Sequence, residues 1–193
     1  MESRTKSYGS PDLLGALYHI GREKSIGRIS LSRKLGLGEQ ATRKLLRDLE
    51  NTGLIKVQGN TKTLPGDVEE AIFSIRVQEI LGERLVPGWK RSFLLQVCGG
   101  EEINIDKSLI ELRDSTVRWG GRGAIILYYD EGKVRMPGGP GKELEITLER
   151  VSRNLDLKKC KGILVVVGVD EETIEWYPIF GFLRSLCDLK YTF

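Results

Sequence analysis

The chain is poor in the residues that most chemistry needs. Among 193 residues there is one histidine, His19, and three cysteines, Cys98, Cys160 and Cys187. With one imidazole and no Cys-x-x-Cys pair, a zinc site is not expected. The cysteines are widely spaced, odd in number and set mostly among apolar neighbours, which reads as buried free thiols in a reducing compartment. No N-terminal apolar stretch resembles a secretory signal. The longest apolar run, from Gly162 to Val169, is too short to span a bilayer, so a cytoplasmic protein without a membrane partner is expected.

Catalytic patterns are missing as well. There is no Gly-x-Ser-x-Gly, no acidic cluster at metal spacing and no second histidine to serve as a base. The segment GGPGKE has the look of a phosphate loop but fails as one. A match ending at Gly141-Lys142 needs glycine where Met136 stands and serine or threonine where Glu143 stands. The expectation is therefore no enzyme, no cofactor and no metal.

What is present is a division of charge. The net charge is +3, yet residues 1–64 hold 12 basic against 6 acidic residues, and the remainder 18 against 21. A basic first third joined to a mildly acidic remainder predicts two modules with different partners. Pro87-Gly88 is the expected seam, giving one domain over 1–86 and a second over 87–193.

In the first module, Ser10-Pro11-Asp12 predicts a helix start, followed by Leu13, Leu14, Leu17 and Ile20 at helical spacing and a stop at Gly21. Ser30 starts a second helix that carries Leu31 and Leu35 and stops at Gly36. A third begins near Glu39. At roughly 100° per residue, Ala41, Leu45, Leu46 and Leu49 gather on one side. Gln40, Arg43, Arg47 and Asn51 gather on the other, with Lys44 at the margin. A helix this short needs its apolar side packed, so the cationic side faces solvent. Past Gly53, residues 54–58 and 61–64 predict a hairpin around Gly59-Asn60.

The stretch GRISLSRKLGLGEQATRKLLRDLENTGLIKV resembles the winged helix-turn-helix of bacterial and archaeal transcription regulators. The resemblance rests on Leu31 and Leu35, the Gly36-Leu37 turn, Leu45 and Leu49, and Gly53-Leu54-Ile55, and covers about residues 10–82. It assumes that Val68 to Leu81 forms the helix that often follows the wing. It implies binding of double-stranded DNA, with the third helix in the major groove. Candidate contacts are Gln40, Arg43, Lys44 and Arg47 on that helix, Ser32 and Arg33 on the second, and Lys62 on the wing.

Beyond the seam, strands and helices alternate. Residues 91–97 predict a strand, and Asp106 caps a helix carrying Leu109, Ile110, Leu112 and Val117. A hairpin over 124–136, a helix over 144–155 and a buried strand over 163–169 follow, then a last helix that Pro178 should kink. The order predicts an α+β fold overall, whose second domain is a two-layer α/β sandwich with helices on one face of a mainly antiparallel sheet. This is ferredoxin-like, or similar in outline to archaeal putative regulators with a DCoH/GAD-like second domain, and to the leucine-responsive regulators. That resemblance implies dimerisation or small-molecule sensing. Trp119 and Arg122, beside a glycine-rich turn, are the candidate effector-binding residues.

The expected function is a DNA-binding transcriptional regulator, a homodimer through the apolar last strand and Ile179, Phe180, Phe182 and Leu183, with a possible small-molecule effector. The alternatives are a winged-helix protein–protein adaptor, whose cationic strip meets acidic protein, or an enzyme with an N-terminal regulatory winged helix.

Overall fold

The computed structural model describes residues 8–23, 26–59, 61–81, 86, 88–99, 109–130, 133–137, 160–170 and 176–190. The chain is mixed α+β and divides into two units, Met1–Phe73 and Ser74–Phe193.

The first unit contains helices α1 (Ser10–Glu23), α2 (Arg28–Leu35) and α3 (Glu39–Asn51), a hairpin of β1 (Lys56–Gln58) and β2 (Thr61–Thr63), and helix α4 (Gly66–Phe73). At the start of α1 the Asp12 carboxylate accepts from the Gly9 backbone N–H at 2.7 Å. The acid thus acts from the first turn back onto the residue before the helix, as in a capping box. Gly21 does not end α1. It is buried, and a Cβ there would lie 2.8 Å from Leu64 and 3.0 Å from Ile72, so the glycine lets neighbouring chain close on the helix.

Helix α2 starts two residues before Ser30, after Gly27, and ends as its sequence predicts. Gly36 takes φ 63°, its N–H reaching the Arg33 carbonyl and the Leu37 N–H the Ser32 carbonyl. Three residues, Gly36-Leu37-Gly38, then separate α2 from α3. Leu45, Leu49 and Thr42 of α3 are almost fully buried, Leu46 nearly so, and Ala41 only in part. Leu17, Ile20, Leu31, Leu35 and Ile55 complete this core. Each fully buried aliphatic side chain stabilises the unit by about 1.5–3 kcal/mol.

The second unit is built on a five-stranded sheet in the order β3-β4-β7-β5-β6, with every neighbour antiparallel. Its strands are β3 (Ile75–Leu81), β4 (Arg91–Cys98), β5 (Gly121–Asp130), β6 (Lys133–Arg135) and β7 (Lys161–Val169). Helices α5 (Leu109–Arg118) and α6 (Trp176–Lys190) accompany it. The helix expected over Val68 to Leu81 is therefore a helix only as far as Phe73. From Ile75 the chain alternates and pairs along its whole length with β4, from Ile75–Val97 to Leu81–Arg91. Long-range pairing overrides the helical spacing there. The division between the units consequently falls at residues 73/74, and of the expected seam Gly88 lies inside the second unit while Pro87 lies outside the described residues.

β4 and β5 are joined through α5, and β7 lies between them. In a ferredoxin-like sheet the third strand of the module would occupy that place; here the last strand does, which is a different order. The rows Val77–Leu95–Val165–Ile126 and Gln78–Leu94–Val166–Ile125 point to opposite faces. Leu95, Val165 and Ile126 are buried on one face, where Phe93 meets Trp176 of α6 at 6.3 Å. Leu94, Leu127, Tyr129, Leu164 and Val166 form a second buried cluster on the other, edged by Ile80, Trp89, Val134 and Met136. Both faces are buried. The helix expected over 144–155 lies outside the described residues.

Pro178 does not kink the last helix. It is the third residue of α6, in the first turn, where the missing N–H has no intrahelical partner to lose. Cys98 and Cys160 are not free thiols. They form a disulfide with Cα atoms 5.8 Å apart, and both are partly buried. Ile179, Phe180, Phe182 and Leu183 are 0–3% exposed, so they belong to the core of this unit and are not available as a dimer surface.

Candidate nucleic-acid interface

α3 displays its cations because its leucines are used. With Leu45, Leu46 and Leu49 buried, Gln40, Arg43, Lys44 and Arg47 all emerge into solvent. The two edges of this strip differ. On one edge, the Lys44 ammonium lies 5.9 Å from the Tyr8 ring, whose hydroxyl donates to Asp48. On the other, Arg43 and Arg47 line a groove of about 720 Å³ between α3, the start of α2 and the hairpin. Its remaining walls include Gly27, Arg28, Ile29, Ser30, Leu46, Glu50, Val57 and Lys62. Arg28, Arg43 and Arg47 thus face a groove that holds one carboxylate, with Lys62 in its wall.

Glu39 sets the charge at one end. Its carboxylate lies 3.4 Å from the Arg28 guanidinium and 3.7 Å from that of Arg43, and it sits at the N-terminus of α3, where a negative charge is favoured. These pairs are exposed and hold their partners loosely. Among the described residues Arg47 has no carboxylate partner.

Ser32 and Lys62 are not placed as their sequence reading expects. The Ser32 side chain is buried, and its hydroxyl donates to the Leu37 carbonyl at 2.6 Å, tying α2 to the turn before α3. Lys62 is only 8% exposed, and its ammonium donates to the Ile26 carbonyl at 3.3 Å. The cause is strand periodicity: Lys62 pairs with Val57 on the inner face of the hairpin, while Lys56, Gln58, Thr61 and Thr63 face outward. Burial, and then the nearby Arg28, lower the Lys62 pKa from its usual 10.5. Arg33 is exposed on α2 but does not line the groove. Arg28 is the residue that sequence reasoning missed, and an earlier helix start at Gly27 would have put it at the first helical position.

His19 takes no part in this surface. It is 3% exposed, beside Glu23 at 3.5 Å. Burial first, then Lys34, outweigh Glu23 and lower its pKa from 6.5 to about 4, so it is neutral at pH 7.

Trp119 and Arg122 each have partners within the second unit. Trp119 lies against Gly181 of α6, with its ring 5.7 Å from that of Tyr177. Arg122 donates to the Gly88 carbonyl at 2.9 Å and pairs with Asp170 at 2.5 Å. Among the described residues no group of His, Cys, Asp and Glu is placed to hold a metal ion, and no helix is long and apolar enough to cross a membrane.

Comparison with known proteins adds the fold and little more. Residues 88–176 match a family described as a domain of unknown function, DUF4443. A solved structure, the hypothetical protein PH0730 from Pyrococcus horikoshii OT3, is similar to this chain with a TM-score of 0.65 and 21% identity. The similarity covers 96% of this chain and 95% of that one, and at this identity it speaks to the fold alone. No curated protein matches.

Proposed function

We propose that the first unit is a winged helix-turn-helix that binds double-stranded DNA, and that the chain is a transcriptional regulator. The reading is supported by the local architecture: two helices joined by a three-residue turn, then a hairpin beside the second of them. It is carried by one observation. Arg28, Arg43 and Arg47 converge on a groove that flanks the exposed face of α3.

A polyanion suits that arrangement. Neutralising each phosphate releases condensed counterions, so several cations in one groove contribute cumulatively to affinity for a duplex. The arginines can in addition reach guanine edges in a major groove, and Glu50 can accept from a cytosine amino group. Folded with its apolar side inward, α3 is a rigid rod able to lie in such a groove. An acidic protein partner would meet the same charge, but the repeating phosphates of DNA match a line of cations along a helix better than scattered carboxylates do.

The test is titration of the full chain with labelled duplexes drawn from random sequence, followed by selection of the bound fraction. Binding that weakens linearly on a log–log salt plot, with enrichment of a sequence, is the expected result. No binding to any duplex at low salt removes the proposal and promotes the adaptor reading.

A further inference from the structure

α5 buries one side and leaves the other in water. Leu112, Ser115 and Thr116 are buried, while Ile110 is 74% and Val117 51% exposed. Ile110 and Val117, seven residues apart, share the exposed side of the helix, an apolar pair that no buried neighbour explains. Arg113 and Asp114, between them, are exposed too. At roughly 100° per residue, positions 110, 113, 114 and 117 fall within about 100° of arc, on the side away from Leu112. They form one stripe, with an apolar residue at each end and two opposite charges in the middle.

The stripe is complementary to its own reverse. Reversing the helix puts Ile110 where Val117 stood and Arg113 where Asp114 stood. An antiparallel helix bearing the same stripe therefore presents Val117 to Ile110 and Asp114 to Arg113, and symmetry repeats both contacts. We propose that this chain pairs with a second copy through α5, about a two-fold axis that crosses the helix between Arg113 and Asp114.

A two-fold contact is self-complementary by definition, and a helix face complementary to its own reverse is what such a contact requires. A partner of one charge would leave either Arg113 or Asp114 facing its like. Contact size sets the strength. α5 has ten residues and is about 15 Å long. Two such helices at an interaxial distance of about 8–10 Å bury less than the roughly 1,200 Å² of a standard interface. The pairing is therefore weak and concentration-dependent. It does not rest on the DNA-binding proposal and can be measured without DNA.

The experiment is sedimentation velocity of the full chain from about 1 to 300 μM, a range chosen because small interfaces of this kind are weak. Wild type should show a reversible monomer–dimer equilibrium. Arg113→Asp puts like charges against each other twice per dimer and should raise the dissociation constant roughly tenfold. The double swap Arg113→Asp/Asp114→Arg restores opposite charges across the axis and should return to within about twofold of wild type. Ile110→Asp should weaken pairing in either background. All four positions are exposed, so circular dichroism should be unchanged in every variant. A monomer throughout the range overturns the proposal, as does a dimer indifferent to Arg113→Asp and Ile110→Asp. A double swap no better than the single reversal also overturns it, because then Arg113 does not face Asp114 of a second copy.

Discussion

The Lys62 ammonium donates to the backbone carbonyl of Ile26 at 3.3 Å, joining the second hairpin strand to the residue that precedes the N-cap of α2. A lysine in a sequence read as a DNA-facing wing is thus a brace inside the first unit. Lys62→Met keeps most of the stem and removes the donor. Loss of a charged hydrogen bond is worth about 1.5–3 kcal/mol, partly offset because a desolvated ammonium is also removed. The expected net destabilisation is about 1 kcal/mol, visible as faster hydrogen exchange in the hairpin amides. Unchanged exchange would leave Lys62 without a structural role.

His19 makes the first unit acid-sensitive. Its folded pKa of about 4 lies below the unfolded value of 6.5, so the unfolded chain binds the proton more readily. Stability is fully present above about pH 6.5 and is lost as pH falls toward 4. The loss attributable to this group is on the order of 3 kcal/mol. Denaturant unfolding of α1–α3, followed by amide exchange at pH 7 and pH 4.5, should show the loss, and His19→Phe should flatten it. The counter-result is a wild-type slope that persists in the variant.

Two glycines are seats for indoles. A Cβ at Gly168 would collide with the Trp89 ring, and one at Gly181 with the Trp119 ring. Gly181→Ala improves helix propensity by at most about 1 kcal/mol, whereas overpacking costs about 1–3 kcal/mol. The strain should win: the variant is expected to melt lower and to shift tryptophan emission. Gly168→Ala, in a strand, lacks the helical compensation and should be worse.

Legibility followed the range of the interaction. The α2–turn–α3 segment is readable because Gly36 and Gly53 terminate helices locally and the leucines keep helical period. β3 is not, since Ile75 to Leu81 becomes a strand only by pairing with β4, and its first residues continue a plausible helix. The inward direction of Lys62 follows from alternation with Val57, a signal present in the sequence but overridden by the expectation that a wing lysine points out. α5 carries apolar residues on two sides, Leu112 on one and Ile110 with Val117 on the other, and only the position of α5 on the sheet decides which side is covered. Of the candidate contacts, Arg43 and Arg47 are brought to one groove by helical period. Arg28 joins them through a tertiary approach that no local pattern encodes.

The Cys98–Cys160 disulfide closes a loop across 62 positions between the end of β4 and the start of β7. Constraining the unfolded chain over that length stabilises by about 4 kcal/mol in the chain-entropy account. Cys98→Ser/Cys160→Ser should therefore lower the melting temperature of the second unit and abolish its sensitivity to reductant. Peptide mapping without reductant should recover the two cysteines in one linked fragment. Recovery of both as free thiols, with no change on reduction, would contradict it.

The central claim is that Arg43 and Arg47 meet DNA. The direct measurement is fluorescence anisotropy of wild type and Arg43→Ala/Arg47→Ala on the same selected duplex across a salt series. Both positions are exposed and opposite the buried leucines, so the circular dichroism spectrum should not change. If both contact phosphates, the log–log salt slope should become shallower by about 1.8 and affinity should fall evenly across sequences. Should one read a guanine, its loss should remove about 1–3 kcal/mol of discrimination at one base pair. Wild-type affinity and slope in the double variant would show that α3 does not read DNA and that the groove serves another partner.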